Sequence, residues 1–236
     1  MEMSKKRKGP LFYLRRVSFI IAIAAFGSVI LFSLVEHILE KRNIIEADIA
    51  VGYFILQSIA GIVALFVPEQ VAKRVKIDIP DFMFLWYNIF VICGIYLGNV
   101  WSFYEMIPAW DSILHVDCGI LLTILGIMIA NHIDKIANMK LKDNPEFIAF
   151  FAFCFAIVIG VLWEVFEYAG DAVLHTNMQR YMTFDGVPFV GRMALHDTMK
   201  DLIQDVLGAL GTSIIYAIIM RKKLKKAQEQ DAAVLE

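Results

Sequence analysis

Six apolar stretches, each about twenty residues long, dominate this sequence. Charges or prolines bound them, and Pro68 is predicted to end the second. A helix needs roughly 20 mostly apolar residues to cross the bilayer core, and lipid leaves backbone groups no partners except one another. The sequence therefore predicts an all-α protein, a polytopic membrane bundle of about six transmembrane helices. The predicted spans cover approximately residues 17–35, 49–67, 82–100, 113–130, 147–168 and 202–220.

Composition excludes several other classes of protein. Hydrophobic residues make up 59% of the 236 residues, against about 45–50% in an average soluble domain, and the mean hydropathy is +0.64. A soluble enzyme, a disordered chain and a nucleic-acid-binding domain are all poor fits to this composition. We expect one integral membrane domain over residues 1–236, with the lipid bilayer as its main partner.

The positions of the basic residues predict the orientation. Seventeen of the 22 Lys and Arg residues lie in the two termini and in the second and fourth connections between spans. Cytoplasmic segments of membrane proteins are enriched in Lys and Arg. We therefore expect a multi-pass protein of the cell (inner) membrane, with both termini in the cytoplasm. Residues 1–16 and 221–236 are then basic cytoplasmic tails, and residues 172–195 form an outer loop.

Carboxylates inside these spans need an explanation, because one charge at the centre of a spanning helix costs about 2.5–3.5 kcal/mol. In the fourth span Asp111 and His115 are four residues apart and share a helix face. Near the end of the fifth, Glu164, Glu167, Asp171 and, if the helix continues, His175 fall within a sector of about 80°. Both groups lie near the predicted outer ends of their helices.

The sixth span adds a third acidic segment at the same level. Asp197, Asp201 and Asp205 are each four residues apart and form one stripe. Since the fourth and sixth spans begin on the outer side and the fifth ends there, we expect the three segments to meet in the outer half of the bundle.

Seven ionised carboxylates in one such cluster would repel one another strongly. Either protons or cations must neutralise them, and we predict one or two divalent metal ions, with Lys200 and Arg192 nearby. His115, His175 and His196 accompany the acids. Oxygen-rich ligation favours Mg, Mn or Ca, while two or three histidines favour Zn or Fe. The predicted ligands are Asp111, His115, Glu164, Glu167, Asp171, Asp197, Asp201, Asp205 and His196.

Other interpretations of single residues stay open. Asp197 precedes an apolar run and is also suited to capping the helix N-terminus. His115 taken alone is as consistent with a hydrogen-bonded core histidine. In the 172–195 loop, Arg180 and Arg192 are candidates for binding an anionic headgroup beneath a lid, although a plain solvent loop fits the same sequence.

Three motifs between residues 110 and 209 resemble a known family. They read W-D-x-x-x-H, W-E-x-x-E-x-x-x-D and D-T-x-x-x-D-x-x-x-D-x-x-G-A. This set is similar to the YjdF-like family of small polytopic bacterial inner-membrane proteins of unassigned function. Ser112 and Asp205 depart from the family pattern, in which a basic residue and an asparagine are frequent. The resemblance supports the choice of residues and implies no particular reaction.

Three functions are compatible with a metal site of this kind. The first is a metal-dependent hydrolase or phosphotransfer enzyme acting on a lipid or lipid-linked anionic substrate, with Glu167 and Asp171 as catalytic carboxylates. The second is a transporter or channel for divalent cations or protons, because intramembrane acids also mark ion pathways. The third is a structural metal that joins the helices of a non-enzymatic protein.

Overall fold

The all-helical architecture is confirmed by the structure, a computed structural model that describes residues 9–40, 45–183 and 185–235. Within these ranges six helices are long and apolar enough to cross a membrane. The chain divides into two compact units, residues 1–110 and 111–236. The elements are α1 (Pro10–Glu40), α2 (Ile45–Val75), α3 (Asp81–Val91), a π-helix (Ile92–Val100), α4 (Phe103–Met106), α5 (Trp110–Ala137), α6 (Pro145–Leu174) and α7 (His196–Leu235).

The helices extend beyond the predicted spans. Pro68 was expected to end the second span, but it lies inside α2, which continues to Val75. Residues 10–16 belong to α1 and residues 221–235 to α7, so much of both basic tails is helical. The prediction of one domain over 1–236 stays a prediction. Several basic residues used to predict orientation lie outside the described residues, namely Lys5, Lys6, Arg7, Lys8, Lys41 and Arg42.

The first unit packs α1 against α2 and α3. Phe26 and Ala22 are fully buried in its core, together with Leu65 and Val91. At one end Arg15 of α1 joins the three helices through its guanidinium, which lies 2.9 Å from Asp81. The same group pairs with Glu69 of α2 at 3.2 Å and covers the ring of Phe84 at 3.8 Å. A partly buried guanidinium with this many partners is held in a defined position.

The third span changes its helical register halfway along. After Val91 the α-helix becomes a nine-residue π-helix, Ile92–Val100. Gly98 lies directly under the ring of Tyr104, and a Cβ there would overlap that ring. The absence of a side chain at Gly98 therefore lets the segment around α4 fold back onto the π-helix.

The second unit buries acidic side chains and leaves many large apolar side chains exposed. Glu164 and Asp201 are 5% and 2% exposed. Their sequence neighbours Val165 and Ile203 are 56% and 55% exposed. This arrangement suits lipid, in which apolar surface can face outward at no cost while charged groups must find partners within the protein.

Two glycines bring α5 and α7 into backbone contact. A Cβ at Gly119 of α5 would collide with the carbonyl oxygen of Asp205, and one at Gly208 of α7 would collide with that of Val116. Gly160 of α6 in turn leaves room for the Asp205 carboxylate, which would lie 2.5 Å from a Cβ at that position. These three positions set the helix spacing around the acidic segments.

The connection from α6 to α7 forms a short hairpin. It begins at His175, which ends α6 in a left-handed conformation with φ of 53°, and a 3₁₀ turn (Gly191–Leu195) leads into α7. Within it the amide of Phe189 donates to the carbonyl of Tyr181 at 2.8 Å. The predicted outer loop at 172–195 is therefore shorter and more regular than expected.

Candidate metal centre

The three acidic segments predicted from the sequence converge in the second unit. Asp197, the seventh of these carboxylates, is half-buried in the first turn of α7, so it lies inside the helix rather than before it. The other six are at most 9% exposed: Asp111, Glu164, Glu167, Asp171, Asp201 and Asp205. Such burial of acids is rare unless they are paired or bind cations.

Asp111, His115 and Asp201 form a group that can hold a metal ion. Each offers one ligand atom, and the three atoms lie within 4.8 Å of one another. His115 Nε2 is 3.7 Å from Asp111 Oδ1 and 3.9 Å from Asp201 Oδ2. Ligands about 2.1–2.4 Å from one ion lie about 3–3.5 Å apart when adjacent, so a small inward movement of side chains is enough to complete the site.

The other ring nitrogen of His115 faces a further carboxylate. Nδ1 lies 3.4 Å from Asp205 Oδ1, and Asp205 is only 3% exposed. Metal-bound histidines almost always direct their second nitrogen to a carboxylate, carbonyl or water, which fixes the ring and increases its basicity. Asp205, a predicted ligand, thus occupies the position of a residue that orients the histidine.

Two positive side chains lie beside this group. Lys200 Nζ is 3.3 Å from Asp111 Oδ2 and 3.4 Å from Asp197 Oδ1. Arg180 Nη1 reaches the same two oxygens at 3.6 and 3.8 Å. Lys200 and Arg180 provide two fixed positive charges against seven carboxylates, so a large negative excess is left for protons or metal ions to balance.

Glu164 is a buried carboxylate of α6. Neither of its oxygens has a hydrogen-bond partner among the described residues, although the side chain is almost fully buried. Glu167, one turn along α6, accepts a hydrogen bond from Trp163 Nε1 at 2.9 Å. A buried carboxylate without a donor is costly, and an ion or a substrate group next to it would remove that cost.

Asp171 organises the start of the hairpin. Its Oδ1 accepts hydrogen bonds from the Thr176 hydroxyl and the Met178 amide, both at 2.7 Å. Its Oδ2 accepts from the Gln179 amide at 3.0 Å. Both oxygens are therefore occupied by the loop, and the predicted role of Asp171 as a ligand or catalytic group stays a prediction that this arrangement does not favour.

Gln179 and Arg180 connect the loop that Asp171 holds to α7. The Gln179 side chain donates to the hydroxyl of Thr198 at 2.9 Å. Arg180 has a left-handed backbone with φ of 45°, and its guanidinium reaches the Asp111 and Asp197 carboxylates. The loop thus contacts the acidic cluster through Arg180, and its role as a lid stays a prediction. Arg192, the other predicted anion-binding residue, is exposed.

The predicted histidines separate into two kinds. His115 is buried within the acidic group, while His175 and His196 are exposed at a helix end and at a helix start. Sequence reasoning overlooked the hydrogen bond from Gln204 to the Ser112 hydroxyl at 2.9 Å, which joins α5 to α7 beside the site. The only sequence signal for it is that Ser112 and Gln204 are polar residues next to the acidic residues of the fourth and sixth spans.

Comparisons with known proteins place this site within a family. The family model described as "Predicted membrane protein (DUF2238)" matches residues 20–222, a range that includes every residue of the site. A relative from Thermotoga maritima, described as an uncharacterized protein, is 28% identical over 203 residues, which cover 86% of this chain and 88% of the relative. No solved structure matches the chain. This chain of apolar helices with a buried acidic cluster belongs to the DUF2238 family of predicted membrane proteins.

Proposed function

We propose that this protein is a metal-dependent membrane enzyme that hydrolyses, or transfers a phosphoryl group from, a lipid or lipid-linked anionic substrate. The observation that carries the proposal is the Asp111, His115 and Asp201 group, whose ligand atoms lie within 4.8 Å of one another. Two carboxylates and one imidazole favour Mg²⁺ or Mn²⁺ over Zn²⁺. Metal binding and hydrolase chemistry both belong to this proposal.

The residues around the group suit the chemistry of an anionic substrate. A bound divalent ion makes water a better nucleophile and polarises phosphoryl oxygens. Arg180 can hold the anionic oxygens of the substrate, because its guanidinium ends next to Asp111. Glu164 has two unengaged oxygens and is suited to accept a proton. Glu167 is the predicted alternative, although one of its oxygens already accepts a hydrogen bond from Trp163.

Cation transport is the competing function, and the other end of the second unit argues against it. Two of the buried polar groups there form local hydrogen bonds. The Thr123 hydroxyl donates to the carbonyl of Gly119 at 2.7 Å, and Asp134 Oδ1 accepts from the Leu141 amide at 2.7 Å. Among the described residues of this unit, Asp134 is the only buried acid beyond the acidic cluster, so the row of intramembrane acids that often marks an ion pathway is absent there.

The orientation of the chain belongs to the same proposal. We place both termini in the cytoplasm, and the site near the outer leaflet of the inner membrane, on the basis of the distribution of basic residues. Alkaline phosphatase, which is active only outside the cytoplasm, is expected to be inactive when fused after Glu236 and active when fused after Thr176. An active fusion after Glu236 together with an inactive fusion after Thr176 would place the site at the cytoplasmic face.

Reconstituted protein tests the reaction. Purified protein in proteoliposomes, supplied with Mn²⁺ or Mg²⁺, is expected to release product from a panel of phospholipids and polyprenyl phosphates. Glu164→Gln should lower the rate about 100-fold or more, because it removes the proposed proton acceptor. Glu105→Gln, at an exposed position in the first unit, is the matched control. Metal uptake into sealed vesicles without release of product would support transport. Metal binding with neither uptake nor release of product would support a structural ion.

A further inference from the structure

Two carboxylates of the metal group divide their oxygens between two different partners. Asp111 directs Oδ1 to His115 Nε2 at 3.7 Å and Oδ2 to Lys200 Nζ at 3.3 Å. Asp201 directs Oδ2 to the same His115 nitrogen at 3.9 Å and Oδ1 to the same ammonium at 3.4 Å. In two-metal sites, bridging carboxylates place one oxygen on each ion in the same way.

The ammonium of Lys200 thus has a coordination shell of its own. Its three neighbours are Asp111 Oδ2, Asp197 Oδ1 and Asp201 Oδ1, at 3.3, 3.4 and 3.4 Å. An ammonium has three donors, so each carboxylate can receive one. The shell is partly buried, because Asp201 is only 2% exposed while the Lys200 side chain is 26% exposed. Lys200 donates hydrogen bonds to Asp111 and Asp197, and its contact with Asp201 Oδ1 is an ion pair.

We propose that Lys200 occupies the second cation position of a two-cation centre, so that the protein binds one divalent ion beside a built-in ammonium. The inference rests on the proposed metal site and specifies its composition. The first position is held by Asp111 Oδ1, His115 Nε2 and Asp201 Oδ2. The second is held by Asp111 Oδ2, Asp197 Oδ1 and Asp201 Oδ1, and Lys200 fills it.

Charge and space both favour this assignment over an ordinary ion pair. An ordinary pair places one ammonium on one carboxylate, and exposed pairs of that kind contribute little. Lys200 instead faces three carboxylates that come from α5 and α7, two of which also face the neighbouring position. Removing the ammonium would leave three oxygens around a position for a second ion about 3.5–4 Å from the first. Arg180 Nη1 would remain 3.6 and 3.8 Å from two of them, Asp111 Oδ2 and Asp197 Oδ1.

Metal stoichiometry tests the assignment directly. Purified full-length protein, stripped with a chelator and then equilibrated with Mn²⁺, is expected to hold about one ion per chain, and Lys200→Ala about two. Electron paramagnetic resonance adds an independent readout. Wild type should show an isolated Mn²⁺ spectrum, whereas Lys200→Ala should show the exchange-coupled spectrum of two ions that share bridging carboxylates. Lys200→Arg keeps a positive charge and should retain about one ion.

The outcomes separate this inference from the metal site on which it rests. Two ions in wild type, or one ion in Lys200→Ala, would overturn the role of Lys200 while leaving metal binding intact. No ion in wild type would instead overturn the proposed function. If Lys200→Ala does not fold, the wild-type stoichiometry still decides between one ion and two. Lys222→Ala, at an exposed position of the same helix, controls for loss of a lysine.

Discussion

We expect Asp201→Asn to weaken Mn²⁺ binding by about 100-fold or more, since even residues that only orient ligands contribute about 10–100-fold. Asp201 is 2% exposed, and its two oxygens face His115 Nε2 and Lys200 Nζ. Asparagine has nearly the same shape but loses the negative charge and replaces one oxygen with a donor amide. Titration of chelator-stripped protein with Mn²⁺, followed by electron paramagnetic resonance of the free ion, measures the change.

Asp231→Asn is the matched control for that experiment. Asp231 lies on the same helix, is exposed and is remote in sequence from the site. It should bind Mn²⁺ as tightly as wild type. Equal affinities of Asp201→Asn and wild type would show that Asp201 is not a ligand and would contradict a divalent ion at this group.

Asp171→Ala is expected to release the hairpin between α6 and α7. Its carboxylate accepts hydrogen bonds from the backbone amides of Met178 and Gln179 and from the hydroxyl of Thr176. Hydrogen bonds to charged groups contribute about 1.5–3 kcal/mol each, so a loss of about 3 kcal/mol in local stability is a moderate expectation. Hydrogen exchange at the Met178 and Gln179 amides should then become about 100-fold faster.

The same variant distinguishes a loop anchor from a catalytic group. If Asp171 anchors the loop, Asp171→Ala speeds exchange, and substrate binding weakens because Arg180 is no longer held beside Asp111. If Asp171 takes part in the chemistry, as the sequence suggested, turnover falls while exchange at the two amides is unchanged. Asp185→Ala, at an exposed position of the same hairpin, should alter neither measurement.

The spans were predictable because hydropathy and length are properties of a local segment. Bilayer thickness demands about twenty apolar residues, and any stretch of that kind can be recognised without knowledge of its neighbours. Pro68 misled the prediction, because a proline inside a spanning helix is tolerated when neighbouring groups satisfy the freed carbonyl. The π-helix Ile92–Val100 was not predictable, since its hydrogen-bond register leaves hydropathy unchanged and depends on how Tyr104 packs over Gly98.

The acidic faces were also determined by the sequence alone. A spacing of four residues places Asp111 with His115, and Asp197 with Asp201 and Asp205, on one side of each helix whatever surrounds it. Because successive spans alternate in direction, the three segments were predicted to lie at the same depth in the membrane. These inferences need only helical geometry and an up-and-down order of spans, which is why they identified the cluster.

Only the tertiary structure decided which atoms meet and which residue does what. Backbone contact at Gly119 and Gly208 sets how closely α5 and α7 approach, and therefore which oxygens of Asp111 and Asp201 face His115 and which face Lys200. The loop fold likewise engages Asp171 while leaving Glu164 without a donor. Periodicity specifies the direction of a side chain on its own helix, whereas distances between helices depend on side-chain volumes that are far apart in sequence, and a metal centre is defined by those distances.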